Sequence, residues 1–322
     1  MDIVITWVNG DDLNWQKERD KYISPEQRSN SHVGGDNRYK DQGLLKYWFR
    51  GIEQFAPWVN KIHFVTWGHI PEWLDTTNPK LHIIKHEEFI PKGYLPTFNS
   101  NAILLNLHRI PGLAERFIFF NDDMFLLKPC KETIFFKKGL PCDMAVMNPI
   151  SAPDTDPFWD MMINNMMVIN KNFNKKKVIK EHPFKWINFK YSFKNNIRNI
   201  GLMGYNYFPG FYDCHLPNAF LKSTFNEVWD KNYDICHNTC LHKFRSSEDI
   251  TEWTMRYWQL ANNKFVPINK QKLGIFTSLK NKNVVNHLSS SFYMACINDE
   301  GNSGDIFDYF NRLLPNKSKF EL

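Results

Sequence analysis

The sequence predicts an α/β protein in which a mixed sheet is flanked by helices and a mostly helical C-terminal part completes the site. Three observations support this fold class. Strand-like and helix-like segments alternate through the first 150 residues, and Pro- and Asn-rich loops with helices dominate from Ser151 onward. Hydrophobic residues make up 43% of the 322 residues, which is enough for a large core and excludes wholesale disorder.

The predicted strands are apolar runs bounded by turn signals. They lie at residues 2–8, 61–67, 81–86 and 117–120, with a further strand at 143–148. The run Phe117–Phe120 is apolar or aromatic at every position, which is typical of a strand that is buried in a sheet. Such a strand fits a sheet with helices on its faces.

The predicted helices carry apolar residues at helical spacing next to start signals. They are expected within residues 38–55, from an Asn99 N-cap to Ile110, from Pro217 onward, and from near Ser247 with Ser246 and Asp249 as caps. Their apolar stripes are Leu44, Trp48, Ile52 and Phe55; Ile103, Leu107 and Ile110; Leu221, Phe225 and Val228; and Ile250, Trp253, Tyr257 and Leu260.

The charge balance is mildly basic, with 40 lysines and arginines against 34 acids and a formal net charge of +6. The acids are spread throughout the chain, so we expect no nucleic-acid partner. One basic stretch, from Lys171 to Arg198, alternates with aromatic residues. It is either a solvated loop with a few packed aromatics, the commoner case, or a contact with a membrane surface or a polyanionic acceptor.

Met1 leads directly into the first strand, without the features of a secretory signal, and no apolar run approaches the ~20 residues of a spanning helix. We therefore expect a soluble or peripheral protein of the cytoplasm. Its six cysteines are expected to be reduced thiols. The stretch from Cys236 to His242 offers zinc ligands as an alternative, but its spacing fits no common zinc module well.

Two adjacent carboxylates follow the fourth strand, in the sequence Asn121-Asp122-Asp123. Carboxylates at the end of a buried strand are costly unless a cation meets them, and ligands of open α/β sheets bind just beyond the carboxyl ends of strands. A divalent ion carrying a nucleotide or phosphate is one interpretation. A turn in which Asn121 and Asp122 bond their own backbone is the other.

Two more polar clusters lie in the first 41 residues. Asn9-Gly10-Asp11 follows the first strand, where glycine allows close backbone approach and Asn9 could bond a nucleobase or sugar hydroxyl; a plain tight turn is equally compatible. Arg38 and Asp41 stand at the head of the predicted helix, where an arginine suits phosphate, although such pairs are more often surface ion pairs.

The remaining clusters lie further along the chain. Ser100 and His108 would fall two helical turns apart on one face, and His108 is either a ligand-facing or a core histidine. His215 precedes a predicted helix and is a candidate general base. Arg245 could stabilise phosphoryl charge. Sequence spacing does not show whether these residues converge on one pocket.

In order and spacing, these segments resemble the Stealth family. DIVITWVNGDD and the stretches 38–74 and 95–127 look like the first two sequence blocks of that family, 215–221 with 242–250 looks like its third, and 295–300 is similar to its fourth. The resemblance thins between about Ser151 and Phe211, where we expect acceptor-specific structure.

The resemblance implies a GT-A/Rossmann-like sheet and an enzyme of bacterial capsular or cell-surface polysaccharide synthesis. It implies transfer of a hexose-1-phosphate or N-acetylhexosamine-1-phosphate from a UDP-sugar to a hydroxyl of an acceptor saccharide, giving a phosphodiester and UMP. The expected partners are the nucleotide-sugar donor and a saccharide or lipid-linked saccharide acceptor, with peripheral contact at the inner face of the bacterial cytoplasmic membrane left open.

The resemblance also implies a division of the chain and roles for its residues. Residues 1–150 would form the nucleotide-sugar-binding core, 151–212 a variable acceptor-related insertion, and 213–322 a helical part that completes the catalytic site. The implied metal is Mg²⁺ (or Mn²⁺) on Asp122, Asp123 and Asp299. Catalysis would fall to Asp123, to His215 as the base and to Arg245 as the phosphate clamp. The implied substrate-binding residues are Trp7, Asn9, Gly10, Asp11, Arg38, Asn99, Ser100, His108 and Asn121.

Within the acidic pair, continued strand geometry would place Asn121 and Asp123 on one face and turn Asp122 away, which makes Asp123 the leading ligand. Two other functions remain possible. A metal-dependent glycosyltransferase would form a glycosidic bond and release a nucleoside diphosphate, although such enzymes usually carry Asp-x-Asp. A carbohydrate-binding surface protein would use the many aromatic residues but leaves the Asp, His and Arg clusters without a task.

Overall fold

The structure, a computed structural model, describes residues 1–30, 33–281, 283–288, 291–298 and 304–322. The strands in these ranges are β1 (Asp2–Thr6), β2 (Ile62–Thr66), β3 (Leu81–Lys85), β4 (Arg116–Asn121), β5 (Met124–Leu126), β6 (Phe136–Lys137), β7 (Leu140–Asp143), β8 (Asn218–Leu221), β9 (Val266–Pro267), β10 (Gly274–Ser278) and β11 (Met294–Asn298).

The α-helices in the same ranges are α1 (Leu13–Arg19), α2 (Pro25–Ser29), α3 (Leu45–Phe55), α4 (His86–Phe89), α5 (Ser100–Leu105), α6 (Pro157–Asn172), α7 (Lys175–Glu181), α8 (Pro183–Trp186), α9 (Phe193–Leu202), α10 (Lys222–Lys231), α11 (Tyr233–Leu241), α12 (Trp253–Ala261), α13 (Val284–Leu288) and α14 (Gly304–Leu313). None of these helices is long and apolar enough to cross a bilayer.

Five strands form the central sheet in the order β3-β2-β1-β4-β8. The first four run parallel, and β8 pairs antiparallel with β4. The order β3-β2-β1-β4 is that of doubly wound nucleotide-binding sheets, whose ligands bind at the carboxyl ends of the strands. The predicted fold class, a Rossmann-like mixed sheet flanked by helices, is confirmed.

Strand β4 shows why its sequence is apolar at every position. Phe117 and Phe119 belong to the core on one face of the sheet, and Ile118 and Phe120 belong to the core on the other. Helix α3 covers the second face, where the ring of Trp48 lies 5.7 Å from that of Phe120. Helix α10 covers the first, through Phe225. A strand packed on both sides has no polar face.

A second sheet, in the order β10-β11-β5, adjoins the central one. Strand β5 follows β4 after a two-residue turn, Asp122–Asp123, so this turn carries the chain from one sheet to the other. The amide of Ile297 in β11 donates to the carbonyl of Asp123 (2.8 Å) and fixes the turn to the second sheet. The two carboxylates therefore lie where the sheets meet.

Two predictions in the second half were wrong. The segment after Pro217 forms strand β8 before helix α10 begins at Lys222, because Asn218–Leu221 pairs along the edge of β4. The predicted strand at 143–148 ends at Asp143, and beyond it only a single bridge joins Met147 to Phe211.

Three predicted helix bounds also differ from the structure. The first helix starts at Leu45, and Arg38 lies in a separate 3-10 turn, Asp36–Tyr39. The helix capped by Asn99 ends at Leu105 and is followed by the 3-10 turn Leu107–Arg109. The helix expected near Ser247 starts at Trp253, since the Asp249 side chain bonds a loop instead of capping a helix.

The division of the chain near residues 150 and 212 stays a prediction. Strand β8 lies in the third predicted segment and yet belongs to the central sheet with strands from the first. Helices α6 to α9 fill the middle segment, within 157–202. The predicted location in the cytoplasm, with or without contact to the inner face of the membrane, also stays a prediction.

Candidate active site

A cavity of about 850 Å³ opens at the carboxyl edge of the central sheet. Thr6 at the end of β1, Val65 near the end of β2, His86 directly after β3 and Asn121 at the end of β4 all line it. This is the edge at which parallel α/β sheets bind their ligands. The cavity also receives side chains from the second half of the chain, so both halves build one site.

The acidic turn forms one wall of the cavity, and both Asp122 and Asp123 line it. Burial raises the pKa of Asp122 to about 7, and the nearby charges of Asp123 and Asp41 add to the shift. Burial also raises the pKa of Asp123 to about 6, against a hydrogen bond from Cys296. The strand ends at Asn121, so continued strand geometry does not separate the two carboxylates, and both are candidate ligands.

These carboxylates fit a hard divalent cation. The Oδ1 atom of Asp123 is buried with no hydrogen-bond partner among the described residues. Carboxylate oxygens are the ligands that such cations prefer, and a bound cation would favour the ionised form of both groups. The alternative interpretation, a turn closed by its own side chains, leaves this buried oxygen unexplained.

Asp123, His215 and Cys296 each offer one atom that could bind a metal ion, and these three atoms lie within 4.8 Å of one another. The Cys296 thiol donates to Asp123 Oδ2 at 3.2 Å. Burial, followed by the charge of Asp123, raises the pKa of this thiol well above its ordinary value. The neutral thiol is therefore a hydrogen-bond donor to the carboxylate and no fit for a hard cation.

His215 lines the same cavity, close to Asp123, with its backbone in the left-handed region at φ 51°. This conformation is uncommon for a residue with a side chain and is typical of functional sites. Its ring lies 4.9 Å from Phe276 and 5.6 Å from Trp253, centroid to centroid. Burial, with the positive charges of Arg245 and Lys270, lowers the pKa of His215. The imidazole is thus neutral near pH 7, as a general base requires.

Two arginines face the same cavity. The Nε and Nη2 atoms of Arg245 donate to Ser100 Oγ, at 3.1 and 2.7 Å, and all three side chains of Arg38, Arg245 and Ser100 line the cavity. Burial lowers the pKa of Arg38 to about 10, with repulsion from Arg245 as the second cause. Neither arginine forms an ion pair with an acid in the described part of the chain. A pair of guanidinium groups in this situation fits a bound anion.

The loop that carries Arg245 is fixed by one buried carboxylate, Asp249. Its Oδ2 accepts from Asn99 Nδ2 (2.8 Å), Asn101 Nδ2 (3.1 Å) and the Ser246 amide (3.1 Å), and its Oδ1 is 2.7 Å from His242 Nδ1. Asn99 is fully buried and does not line the cavity. The structure places Asn99 as a support of the Arg245 loop and leaves it no access to substrate.

The turn after β1 lies beside the cavity without lining it. The Asn9 amide donates to His69 Nε2 (2.8 Å), and the Asn9 side chain accepts from the Asp11 amide (3.1 Å), which is the tight-turn arrangement. A Cβ on Gly10 would lie 2.2 Å from the carbonyl oxygen of Tyr39. Gly10 therefore allows close approach of the protein's own backbone, next to Arg38.

Two other predicted residues lie elsewhere. His108 packs in the core against Phe225 and Trp229, with ring centroids 5.8 and 6.0 Å away, and burial lowers its pKa to about 3. It is a core histidine away from the cavity, because α5 ends before reaching it. Asp299 lies outside the described residues, and its neighbour Asn298 lines the cavity.

The zinc alternative for the stretch from Cys236 to His242 is not supported by the geometry. Cys236 and Cys240 are buried free thiols in α11. His237 Nδ1 bonds Tyr94 OH at 2.8 Å, and His242 is bonded to Asp249. The two histidine side chains thus have separate protein partners.

Sequence reasoning did not single out several cavity residues. Glu252 lines the cavity beside Trp253, and burial raises the pKa of its carboxyl to about 7. His86 also lines it, and its Nδ1 and the predicted Trp7 Nε1 are buried without hydrogen-bond partners in the described ranges. A glutamate beside a tryptophan and a histidine after a strand carry no signal that spacing could reveal.

Comparison with known proteins finds two matching family models and relatives that are similar over the full length of the chain. The models of Stealth protein conserved region 1 and conserved region 2 match residues 1–24 and 38–142. The capsular polysaccharide phosphotransferase WcwK of Streptococcus pneumoniae is 41% identical over 100% of this chain and 98% of its own length. The exopolysaccharide phosphotransferase cps2G of Lactiplantibacillus plantarum is 40% identical over 100% and 96%.

A solved structure is also similar over its whole length. The crystal structure of galactosyltransferase LgtC with donor and acceptor sugar analogues covers 99% of this chain and 97% of its own, with 9% identity and a TM-score of 0.39. A similarity this distant has no bearing on the reaction. The sequence resemblance of residues 2–12, 38–74 and 95–127, which lie within the matched regions, is confirmed, and that of 215–221, 242–250 and 295–300 stays a prediction.

Proposed function

This chain belongs to the Stealth family and is a transferase, and on that premise we propose that it transfers a hexose-1-phosphate or N-acetylhexosamine-1-phosphate from a UDP-sugar to an acceptor saccharide. The product is a phosphodiester in a capsular or cell-surface polysaccharide, and UMP leaves. One observation carries the proposal: two carboxylates, a neutral histidine and two arginines that pair with no acid among the described residues meet in one cavity.

The donor lies along the carboxyl edge of the central sheet in this proposal. The buried Trp7 Nε1 and His86 Nδ1, which have no hydrogen-bond partners in the described chain, offer polar contacts to the nucleoside. The pyrophosphate lies between the acidic turn and the guanidinium groups of Arg38 and Arg245. Charge on its oxygens is matched by arginine forks, which bind phosphate in a bidentate manner.

His215 takes the proton of the acceptor hydroxyl on an imidazole nitrogen. The oxygen attacks the phosphorus that bears the sugar, a new P–O bond forms, and the P–O bond to the UMP leaving group breaks. Arg245, oriented by Ser100, stabilises the charge that develops on the phosphoryl oxygens. Orientation of the acceptor adds to the rate acceleration, because a hydroxyl that is already held in position loses less translational and rotational freedom in the transition state.

Asp122 and Asp123 are the residues that would hold Mg²⁺ (or Mn²⁺), with Asp41 nearby. When bound, the ion supplies Lewis-acid neutralisation of the pyrophosphate. Asp299 stays a candidate ligand outside the described residues.

The test is a reaction with a panel of UDP-sugars and oligosaccharides released from the surface polysaccharide of the organism that carries this chain. After treatment with EDTA, the enzyme is assayed with and without added Mg²⁺. We expect UMP release that depends on Mg²⁺, and a phosphodiester signal in the ³¹P NMR spectrum of the product. Release of UDP with a glycosidic product would instead establish the glycosyltransferase alternative.

A substitution at Asp123 tests the role of the acidic turn independently of the net charge of the protein. We expect Asp123→Asn to lower kcat by about 10²-fold or more, because stabilisation of the charge on the transferred group supplies much of the rate acceleration in such reactions. The matched control is Asp230→Asn, the same change at an exposed position of α10, which should retain full activity. Equal activity of the two variants would rule out the assigned role.

A further inference from the structure

Helix α9 has its apolar and polar faces inverted. Phe193, Ile197 and Ile200, spaced four and three residues apart, lie on one face with 82%, 52% and 55% of their surface exposed. Asn195 and Asn199, on the other side, are 3% and 0% exposed. Surface helices ordinarily bury the apolar stripe and expose the amides, so this helix presents its apolar face outward.

The buried asparagines fix that orientation. Asn199 Oδ1 accepts from the Met147 amide (2.7 Å), and its Nδ2 donates to the carbonyl of Ala145 (2.8 Å). Asn195 Nδ2 donates to Gln271 Oε1 at 2.8 Å. Rolling the helix to bury its apolar side would break these bonds in the protein interior, where an unpaired polar group is strongly destabilising. The exposed apolar face is therefore a stable property of the fold.

The preceding loop extends this face. Asn188 and Asn196 exchange hydrogen bonds, of 3.0 and 2.9 Å, which attach the loop before α9 to the helix. Phe189 next to Asn188 is 91% exposed, and Phe184 in α8 is 83% exposed. We call Phe184, Phe189, Phe193, Ile197 and Ile200 the apolar face. Exposed apolar side chains in such a group mark an interaction site.

The net positive charge of the protein is concentrated in the same segment. Between Lys171 and Arg198 there are nine lysines and arginines and one acid, a net +8, so the remaining chain carries −2 within the total of +6. Lys175 is buried and donates to the carbonyls of Leu202, at the end of α9, and Tyr205, but Lys176, Lys177 and Lys194 are exposed. Lys137, Lys190 and Lys272 line a groove of about 390 Å³ that also includes Phe189.

We propose that the apolar face and its lysines bind the surface of an anionic lipid bilayer, with the aromatic rings in the interfacial layer. Exposed Phe and Ile side chains insert among the lipids, and each lysine near the surface adds electrostatic attraction to the anionic headgroups. A second copy of the chain would bring the same +8 against this one. A polyanionic saccharide would match the charge and leave Ile197 and Ile200 in water. An anionic bilayer matches both the positive charge and the exposed apolar side chains.

The test is co-sedimentation of the full chain with vesicles of phosphatidylcholine alone or mixed with phosphatidylglycerol. We expect binding to the mixed vesicles only, weakened by high salt because ions screen surface charge. The variant Phe193→Ser/Lys194→Glu should bind roughly 100-fold more weakly, from the loss of one inserted ring and two units of charge. The matched control is Leu13→Ser/Lys17→Glu, which makes the same kind of change at exposed positions of α1.

Three results would overturn the proposal: no binding of the wild type to mixed vesicles at low salt, equal weakening by both double variants, or a dimer that the Phe193→Ser/Lys194→Glu change dissociates without any lipid binding. Circular dichroism verifies that both variants fold. The proposal is independent of the reaction, since UMP release with a water-soluble acceptor should be the same for both variants and the wild type in the absence of vesicles.

Discussion

Arg38 and Arg245 share the cavity although burial works against both charges. Burial lowers the pKa of each guanidinium, for Arg38 to about 10, and repulsion between the two adds to the shift of Arg38. The Ser100 hydroxyl fixes Arg245 through Nε and Nη2. Two neighbouring cations in a buried site are unfavourable by themselves, and a bound anion, such as the pyrophosphate of the proposed donor, would relieve their repulsion.

Glu252 gives a prediction for pH. Burial raises the pKa of this carboxyl from 4.5 to about 7, against the charge of Arg245. Below pH 4.5 the group is protonated in both the folded and unfolded chains. Above it the unfolded chain ionises first, so stability is lost as pH rises toward 7. We expect Glu252→Gln to raise the free energy of unfolding relative to the wild type by up to about 3 kcal/mol at about pH 8.

The measurement is urea unfolding of both proteins at about pH 4.5 and about pH 8. The gain should be small at the lower pH, where both proteins carry an uncharged side chain at this position. A difference of the same size at the two pH values would show that Glu252 titrates normally. The control Glu181→Gln changes an exposed glutamate of α7 and should leave the free energy within about 0.5 kcal/mol.

At the scale of elements, the loop between α11 and α12 depends on contacts from α5. Asn99, the N-cap of α5, donates to Asp249 Oδ2 while its own Oδ1 accepts from the Asn101 amide (3.0 Å). Asn99→Ala removes the cap and one donor to a buried carboxylate. We expect a loss of about 1–3 kcal/mol in the free energy of unfolding, and a lower kcat because the Arg245 loop loses its support.

A matched control exists at the surface. Asn78 donates to the Lys319 carbonyl (2.8 Å) and accepts from the Lys80 amide (3.0 Å) in a loop whose residues do not line the cavity. We expect Asn78→Ala to change stability by about 0.5 kcal/mol or less and to leave kcat unchanged. If both variants lose kcat equally, the loop is not positioned through Asn99. Denaturant unfolding and steady-state assays measure the two effects.

At the scale of the whole molecule, periodicity identified the parallel strands because their apolar runs have no polar face. It failed at β8, since the residues after Pro217 fit a strand or the first turn of a helix equally well. Pairing with β4 decides between the two, and that contact joins segments that lie far apart along the chain. The inverted face of α9 was equally hidden, because a pattern of Phe and Ile shows period but not which side faces the core.

The candidate site, like the fold, could be predicted from the sequence only in part. Trp7, Arg38, Ser100, Asn121, Asp122, Asp123, His215 and Arg245 all line the cavity, as predicted substrate, metal and catalytic residues would. Their chemistry made them candidates one at a time. Their convergence follows from the turn between two sheets and from the Asp249 loop, and neither is visible in local spacing. His108 and Asn99 show the converse: His108 packs in the core, and Asn99 supports the Arg245 loop from below the cavity lining.

A buried arginine joins the second half of the chain to the site. Arg256 of α12 donates to both oxygens of Asp143 at the end of β7 (2.7 and 2.9 Å) and also pairs with Asp213, two residues before His215. The Tyr257 hydroxyl donates to the other oxygen of Asp213 at 2.6 Å. This network fixes the segment that holds His215 in its left-handed backbone conformation.

Arg256→Leu would leave two buried carboxylates without this counterion. We expect the free energy of unfolding to fall by about 3–5 kcal/mol, since breaking a buried pair costs far more than replacing it whole. Adding Asp143→Asn and Asp213→Asn should recover a large part of the loss, because the uncompensated charges are then gone.

Arg116→Leu is the control, as its pair with Glu132 is solvent-exposed at 3.9 Å, and it should cost about 1 kcal/mol or less. Urea unfolding of the wild type and the three variants decides the matter: if the triple variant is no more stable than Arg256→Leu alone, the loss arises from packing of the long side chain and not from charge.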